Sequence, residues 1–224
     1  MKTSLILSSL LGALSCMTAG AAEVPLYETG PAEDSSFVRF VNGGGKPVEV
    51  IASGSNARLK LDAAKPASDF LPIRAGRAIE GALVRDGGTK QNVSVTVQPG
   101  EFASVVGVED AAGAFTTTIV REQPDDFNAL KASVAFYNLD ARCASAALRV
   151  AGRDITLLDG VPHGQVKRRQ VNPVALALQL SCGGQPVGEA LNLGTLEAGQ
   201  RYTVFLVPAG QRSRIFGATD SVAR

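Results

Sequence analysis

The sequence predicts an all-β protein of two tandem β-sandwich (Ig-like) domains, related by internal duplication and joined by a short linker. The first observation is a strand pattern at Ser35–Asn42 that recurs at residues 132–138. The second is a turn followed by a strand at residues 97–106, a pattern that recurs at residues 196–205. The two repeats have offsets of 97 and 99 residues, so the register is kept across a whole domain.

The first domain, residues 36–121, is predicted to contain short strands separated by turn signals. About seven short strands with a turn every 8–12 residues is the pattern of a β-sandwich, and a closed barrel is the alternative. Residues 62–78 mix Ala and Pro, so we expect a short helical turn or a crossing loop there. The predicted strands are 36–42, 48–52, 58–61, 79–85, 91–97, 102–108 and 115–120.

The second domain, residues 131–224, repeats this scheme after a linker at residues 122–130. The linker prediction rests on Pro124 and the adjacent acids Asp125 and Asp126. The predicted strands are 132–138, 146–150, 154–158, 165–171, 174–182, 190–196, 201–208 and 214–218.

Residues 1–22 are typical of a secretory signal peptide with cleavage after Ala22. Their apolar run is well short of the ~20 residues that span a bilayer, and no later run is long enough for a membrane helix. Cys16 offers lipidation as an alternative, although the preceding Leu is one place too close to it. Residues 23–35 are expected to form a polar lead-in.

Removal of the signal peptide leaves two cysteines, Cys143 and Cys182. Two cysteines in an exported chain fit one disulfide within the second domain, and two free buried thiols are the alternative. Two distant cysteines and a single histidine do not make a zinc pattern, so we expect no metal and no cofactor.

The charge of the mature chain is divided unevenly. Residues 23–128 carry 10 basic and 15 acidic side chains, and residues 129–224 carry 11 and 6. The halves therefore differ in sign, which suggests different partners or attraction between the domains. Neither value approaches that of a nucleic-acid binder.

The single histidine, His163, lies in a Gly-Pro turn sequence. A serine hydrolase or acetyltransferase would need it as the base, but the chain has no G-x-S-x-G motif. Residue 168 is Arg, so an H-x-x-x-x-D motif is also absent. A loop histidine with no catalytic role is the favoured interpretation, and no catalytic residue is predicted.

Three further patterns have both a functional and a structural interpretation. The basic cluster Lys167, Arg168 and Arg169 is a candidate contact for a partner or an acidic polymer, although cations are also common at sheet edges. The pairs Glu109-Asp110 and Asp125-Asp126 are better explained as turn residues than as catalytic carboxylates. Gly43–Gly45 lacks the Lys-Ser/Thr of a phosphate loop and is expected to be a turn.

The segment from Leu26 to Asn42, with its Thr29-Gly30-Pro31 and Asp34–Asn42 motifs, resembles the start of the alginate O-acetylation proteins of the AlgF family. The likeness extends to the signal peptide, the overall length and the strand-rich halves. It implies a periplasmic protein of a Gram-negative bacterium that acts in adding O-acetyl groups to alginate. It also implies an accessory protein of two β-sandwich domains that binds an acetyltransferase partner.

The residues and the resemblance together favour a non-catalytic adaptor that binds the periplasmic alginate O-acetyltransferase. One alternative is an acetyl relay that uses a serine or His163 as a transient carrier. Another is an alginate-binding module, although exposed aromatic platforms for sugars are scarce in a chain with no Trp and 3 Tyr.

Overall fold

The computed structural model describes residues 35–110, 112–123 and 128–223. The predicted signal peptide, the lead-in up to residue 34 and linker residues 124–127 lie outside the described residues. The described ranges contain strands and no helix. The strands are β1 (Ser35–Asn42), β2 (Val48–Ala52), β3 (Arg58–Leu61), β4 (Leu71–Arg74), β5 (Ala78–Arg85), β6 (Lys90–Thr96), β7 (Phe102–Glu109), β8 (Phe115–Glu122), β9 (Ala132–Asn138), β10 (Ser145–Val150), β11 (Thr156–Pro162), β12 (Val166–Val171), β13 (Ala175–Cys182), β14 (Gln185–Thr195), β15 (Arg201–Ala209) and β16 (Arg212–Thr219).

The strands form four sheets of four strands, two in each half of the chain. The first inner sheet has the order β4-β1-β7-β8 and the first outer sheet has the order β3-β2-β5-β6. The second inner sheet, β12-β9-β15-β16, and the second outer sheet, β11-β10-β13-β14, have the same orders with every strand number raised by eight. In both inner sheets the central pair is parallel: β1 with β7, and β9 with β15. The predicted duplication and the all-β fold class are confirmed.

Asn42 and Asn138 occupy the same place in the two halves. Each ends the first strand of its half, and each donates two side-chain hydrogen bonds that tie this strand to the next loop and to the outer sheet. Their equivalence gives an offset of 96 residues, one fewer than the offset of 97 that the sequence pattern suggested. The acceptors are Lys46 O (2.9 Å) and Leu61 O (3.2 Å) for Asn42, and Cys143 O (2.6 Å) and Val161 O (2.9 Å) for Asn138.

The expectation of a helical turn or crossing loop across residues 62–78 was wrong at β4. Residues Leu71–Arg74 pair antiparallel with β1 and form the edge of the first inner sheet. Pro72 cannot donate a backbone hydrogen bond, which suits an edge strand and hides the strand from a pattern search. The equivalent strand β12 was predicted in the second half. Transferring it to the first half through the duplication would have predicted β4.

Each half encloses a core between its inner and outer sheets. The first core is built largely from valines and the second largely from leucines. A third apolar cluster lies between the two inner sheets and takes Val41, Val106 and Val108 from the first half. From the second half it takes Tyr137 and Phe205, among others. The layers therefore run outer, inner, inner, outer within one compact unit.

The inner strands are buried on both faces for this reason. Val38 and Phe40 of β1 face the first sandwich, and Arg39 and Val41 face the junction between the inner sheets. Gly43 allows the close approach at this junction, because a Cβ there would lie 3.1 Å from Val207 Cγ1 of the second half. In a sheet that packs on one face only, the other face of each strand is exposed to solvent. The central strands of the inner sheets have no such exposed face.

A disulfide joins Cys143, in the β9–β10 loop, to Cys182, the last residue of β13. The bridge crosses 39 residues of sequence and links the loop beneath the inner sheet to the outer sheet of the second half. Cys143 is almost completely buried.

We expect the double substitution Cys143→Ala/Cys182→Ala to lower the free energy of unfolding by about 3–4 kcal/mol, because the bridge closes a loop of this length in the unfolded chain. Guanidinium unfolding followed by circular dichroism measures the change, with the reduced native protein as the matched control. An unchanged midpoint in both samples would contradict the assignment of a stabilising role to the bridge.

Candidate functional site

A network of charged and polar side chains occupies the centre of the junction between the two inner sheets. Its first member is Arg39, whose side chain has no exposed surface. The guanidinium donates from Nη1 to Asp220 Oδ1 (2.5 Å), from Nη2 to Thr203 Oγ1 (2.9 Å) and from Nε to Ser104 Oγ (2.8 Å). It also lies over the ring of Phe70, 4.3 Å from the centroid, which gives a cation–π contact on a desolvated face.

Arg168 is the second cation of the network, and it comes from the edge strand β12. Its Nε donates to Glu122 Oε1 (2.9 Å) and its Nη2 to Glu122 Oε2 (3.1 Å) and to Asp220 Oδ2 (3.0 Å). The Tyr137 hydroxyl donates to the same Glu122 carboxylate. Two guanidinium groups and two carboxylates therefore meet in one buried cluster, whose formal charges cancel.

The pKa shifts follow from this geometry. Burial alone would raise the pKa of Asp220, but the charges of Arg39 and Arg168 and the hydrogen bonds from Thr203 and Arg39 hold it below its ordinary value of 3.8. Burial alone would lower the pKa of Arg168, yet Glu122 and Asp220 raise it above its ordinary value. Burial and the neighbouring Glu122 carboxylate raise the pKa of Tyr137, so the phenol stays protonated as a donor.

Most of these contacts cross from one half of the chain to the other. Ser104 and Glu122 belong to β7 and β8 of the first half, whereas Thr203 and Asp220 lie in or after the last strands of the second. Arg39 of the first half pairs with Asp220 of the second, and Arg168 of the second half pairs with Glu122 of the first. These ion pairs favour one relative position of the two inner sheets, because a shift would leave buried charges unpaired.

The C-terminal segment adds a backbone link to this junction. Phe70 N donates to Ser221 O (2.7 Å), and Ala223 N donates back to Phe70 O (2.8 Å). At the other end of the junction Arg214 Nη2 donates to Gly43 O and Gly44 O, both at 3.1 Å. The second half is thus hydrogen-bonded to the first at both ends of the shared interface.

The structure divides the predicted basic cluster between two environments. Lys167 and Arg169 are exposed on β12, and they donate to the backbone carbonyls of Asp159 (2.6 Å) and Leu157 (3.0 Å) on the edge strand β11. They satisfy carbonyls that lack a neighbouring strand. Arg168, by contrast, is only 9% exposed. It is committed to the junction and is not placed to bind a partner, because its face of the strand is covered by the first half.

The other sequence patterns lie at the surface. His163 is exposed in the turn between β11 and β12, and among the described residues no hydrogen bond reaches its imidazole. Glu109 is paired with Arg85 at 2.7 Å, and Asp110 accepts hydrogen bonds from the backbone of its own turn. Asp125 and Asp126 lie outside the described residues. No group of His, Cys, Asp and Glu that could hold a metal ion occurs in the described ranges.

The sequence pattern missed four members of the junction network: Arg39, Glu122, Tyr137 and Asp220. Glu122 was placed in the linker, but it is the last residue of β8 and is buried. A charged residue in the middle of an otherwise apolar strand was the available signal, since Arg39 stands between Phe and Val neighbours.

The charge division can now be located more closely. The strand-bearing part of the first half, residues 36–121, carries 10 basic and 8 acidic side chains. The acidic excess of residues 23–128 therefore comes from residues 23–34 and 122–126, and both β-sandwich segments are net basic.

Comparison with known proteins identifies the family. The family model described as alginate O-acetyl transferase AlgF matches residues 9–203. The chain belongs to the AlgF family. The family takes part in alginate O-acetylation, and the resemblance seen at residues 26–42 is confirmed. No match was found among curated proteins.

Solved structures with similarity to this AlgF-family chain include two kinds of protein. The C-terminal domain of AlgF from P. aeruginosa is 23% identical, with a TM-score of 0.35, over 40% of this chain and 98% of that domain. A putative cell adhesion protein from Bacteroides uniformis is 11% identical, with a TM-score of 0.26, over 86% of this chain and 100% of that protein. A second putative cell adhesion protein, from Bacteroides ovatus, is 10% identical, with a TM-score of 0.27, over 84% of this chain and 99% of that protein.

Across the part of the chain that the structure describes, no helix has the length and apolar character needed to cross a membrane.

We expect Asp220→Asn to destabilise the protein by about 3–5 kcal/mol, because it leaves Arg39 and Arg168 without their shared carboxylate in a buried site. Thermal and urea unfolding of the mature protein measure the loss. Asp154→Asn is the matched control, since that carboxylate is 96% exposed and its surface pair is expected to contribute about 0–1 kcal/mol. Equal effects of the two substitutions would show that the junction does not depend on the Asp220 charge.

The same carboxylate predicts an acid-dependent loss of stability. Because the pKa of Asp220 is lowered in the folded protein, its contribution is complete above its ordinary value of 3.8 and is lost as the pH falls through the folded-state pKa. Unfolding curves measured from pH 6 downward should therefore show a decline below about pH 4 that is smaller in Asp220→Asn. An identical decline in both proteins would assign the acid sensitivity to other carboxylates.

Proposed function

We propose that this chain is a periplasmic accessory (adaptor) protein that is required for O-acetylation of alginate and acts by binding the acetyltransferase machinery. The observation that carries the proposal is the junction network, which joins two sandwiches into one compact unit. The exposed surface of this unit consists of the outer sheets, the strand edges and the turns. A unit whose parts are already packed together presents its surfaces to a partner at little cost in ordering.

The location is supported by two features of the sequence and the fold. The first 22 residues are typical of a signal peptide, and the disulfide between Cys143 and Cys182 suits an oxidising compartment. Membership of a family that takes part in alginate O-acetylation supplies the process.

The second half is the favoured side for the partner. Residues 129–224 carry 11 basic and 6 acidic side chains, and Arg168 and Asp220 neutralise each other's charge inside the junction. The other cations of this half that the structure describes are exposed or partly exposed, where they can meet an acidic face of the transferase and accelerate its association. Lys167 and Arg169 are part of this exposed basic surface.

Binding of the mature protein to the family's periplasmic acetyltransferase tests the proposal. By calorimetry we expect a dissociation constant in the micromolar range or below. In Lys167→Glu/Arg169→Glu the affinity should fall about tenfold, because each charge reversal replaces attraction by repulsion. The matched control is Arg58→Glu/Lys60→Glu on the edge strand β3, which makes the same charge change in the first half. Thermal unfolding of both variants confirms that they fold, and no association of the native protein would refute the adaptor role.

The family description names a transferase, so the acetyl relay through a serine or His163 is the second candidate function. Incubation with an activated acetyl ester followed by intact mass measurement distinguishes the two. The adaptor proposal predicts that neither the native protein nor His163→Ala gains mass. The relay predicts the added mass of an acetyl group in the native protein and none in His163→Ala.

A further inference from the structure

The first sandwich contains an apolar cavity of about 240 Å³ that opens to solvent between its sheets. Val38 and Phe40 of β1 and Leu71 and Ile73 of β4 line it from the inner sheet. Val50, Leu59, Ile79 and Val93 line it from the outer sheet. The charged side chains among the lining residues are those of Arg58 and Glu80, which are exposed and of opposite sign.

The duplication shows which residues leave this space unfilled in the first half. The pairing registers place Val50, Ala52 and Gly81 of the first outer sheet where the second has Leu148, Val150 and Leu178. Val93 likewise stands where the second half has Leu191. The first half therefore has eight side-chain carbon atoms fewer at one level of the same scaffold.

Gly81 keeps the space open. A Cβ built on Gly81 would lie 2.5 Å from the backbone oxygen of Ile51, so no side chain fits at this position without a shift of the strand. In the second half the equivalent residue, Leu178, is fully buried in the core. The cavity is thus built into the backbone geometry of the first half.

The edge of the sandwich is also closed differently in the two halves. Arg169 lies at the position equivalent to Leu71 and spans to Leu157 O of the opposite sheet at 3.0 Å. Leu71 cannot make this bond, so the gap between β3 and β4 keeps an apolar rim.

We propose that this cavity is a binding site for the hydrocarbon chain of an amphiphile, with the polar head left in solvent beside Arg58 and Glu80. Apolar cavities of about 150 Å³ stay dry and bind benzene, and this one is larger and open at one end. The lining is apolar apart from Arg58 and Glu80, which suits a hydrocarbon chain. Opposite charges at the mouth select no particular head, so the length of the chain sets the affinity.

A series of 1-alkanols from butanol to decanol tests the site on the methyl-labelled mature protein by NMR. Shifts are expected at the methyl groups of Val50, Leu59, Ile73 and Ile79, and not at Leu148 and Leu176, which are equivalent to Val50 and Ile79. Each added methylene should tighten binding roughly fourfold until the cavity is full, after which the dissociation constant should level off. Shifts in both halves alike, or at the surface only, or no dependence on chain length, would overturn the proposal.

The variant Val50→Leu/Val93→Leu, which introduces the residues of the second half, should weaken binding of the longest bound alkanol at least tenfold and raise the melting temperature. Unchanged binding in this variant would contradict the assignment, and the alkanol series on the native protein decides the question if the variant does not fold. Decanoate and a lysophospholipid below its micelle concentration distinguish a free fatty acid from a lipid tail. Failure of both to shift the cavity methyl groups would overturn the proposal, and this outcome is independent of transferase binding.

Discussion

The relative position of the two sandwiches depends on a guanidinium group that has been removed from water entirely. Burying Arg39 costs several kcal/mol in lost hydration, and the cost is offset only because carboxylate, hydroxyl and aromatic partners surround it. Those partners come from both halves of the chain. An interface made only of valine and phenylalanine would also be stable, but apolar contacts alone are less specific for one alignment of the two sheets. The charged network permits one alignment, because any shift would leave a buried charge unpaired.

The two halves have the same strand arrangement but different core side chains. Strand order, parallel central pair and the asparagine at the end of the first strand are the same in both halves. The second half is filled with leucines, closed at its edge by Lys167 and Arg169 and crossed by a disulfide. The first half has valines, a glycine where its copy has Leu178, and no disulfide among its described residues. A copy with larger core side chains and a copy with smaller ones can therefore divide structural and binding tasks, which a single sandwich would have to combine.

Local patterns were sufficient to predict most of the strands and the fold class, because alternation and turn residues act over a few positions. The strand β4 was missed because its four residues include Pro72, and only comparison with β12 would have revealed it. The role of Arg168 was misjudged for a different reason. A basic residue on an edge strand usually faces solvent, and nothing nearby in sequence shows that another sheet covers it. The charge network joins residues up to 181 positions apart, so its existence depends on tertiary packing that a linear pattern does not contain.

The order of the chain gives the link between Arg39 and Asp220 a consequence for folding. The arginine is 181 residues ahead of its carboxylate, and contacts between residues so far apart in sequence form slowly, because the intervening chain must be ordered first. Until Asp220 is in place, the inner face of the first half has neither its apolar cover nor its neutralising charge. The first sandwich therefore reaches its final state only when the second half packs against it.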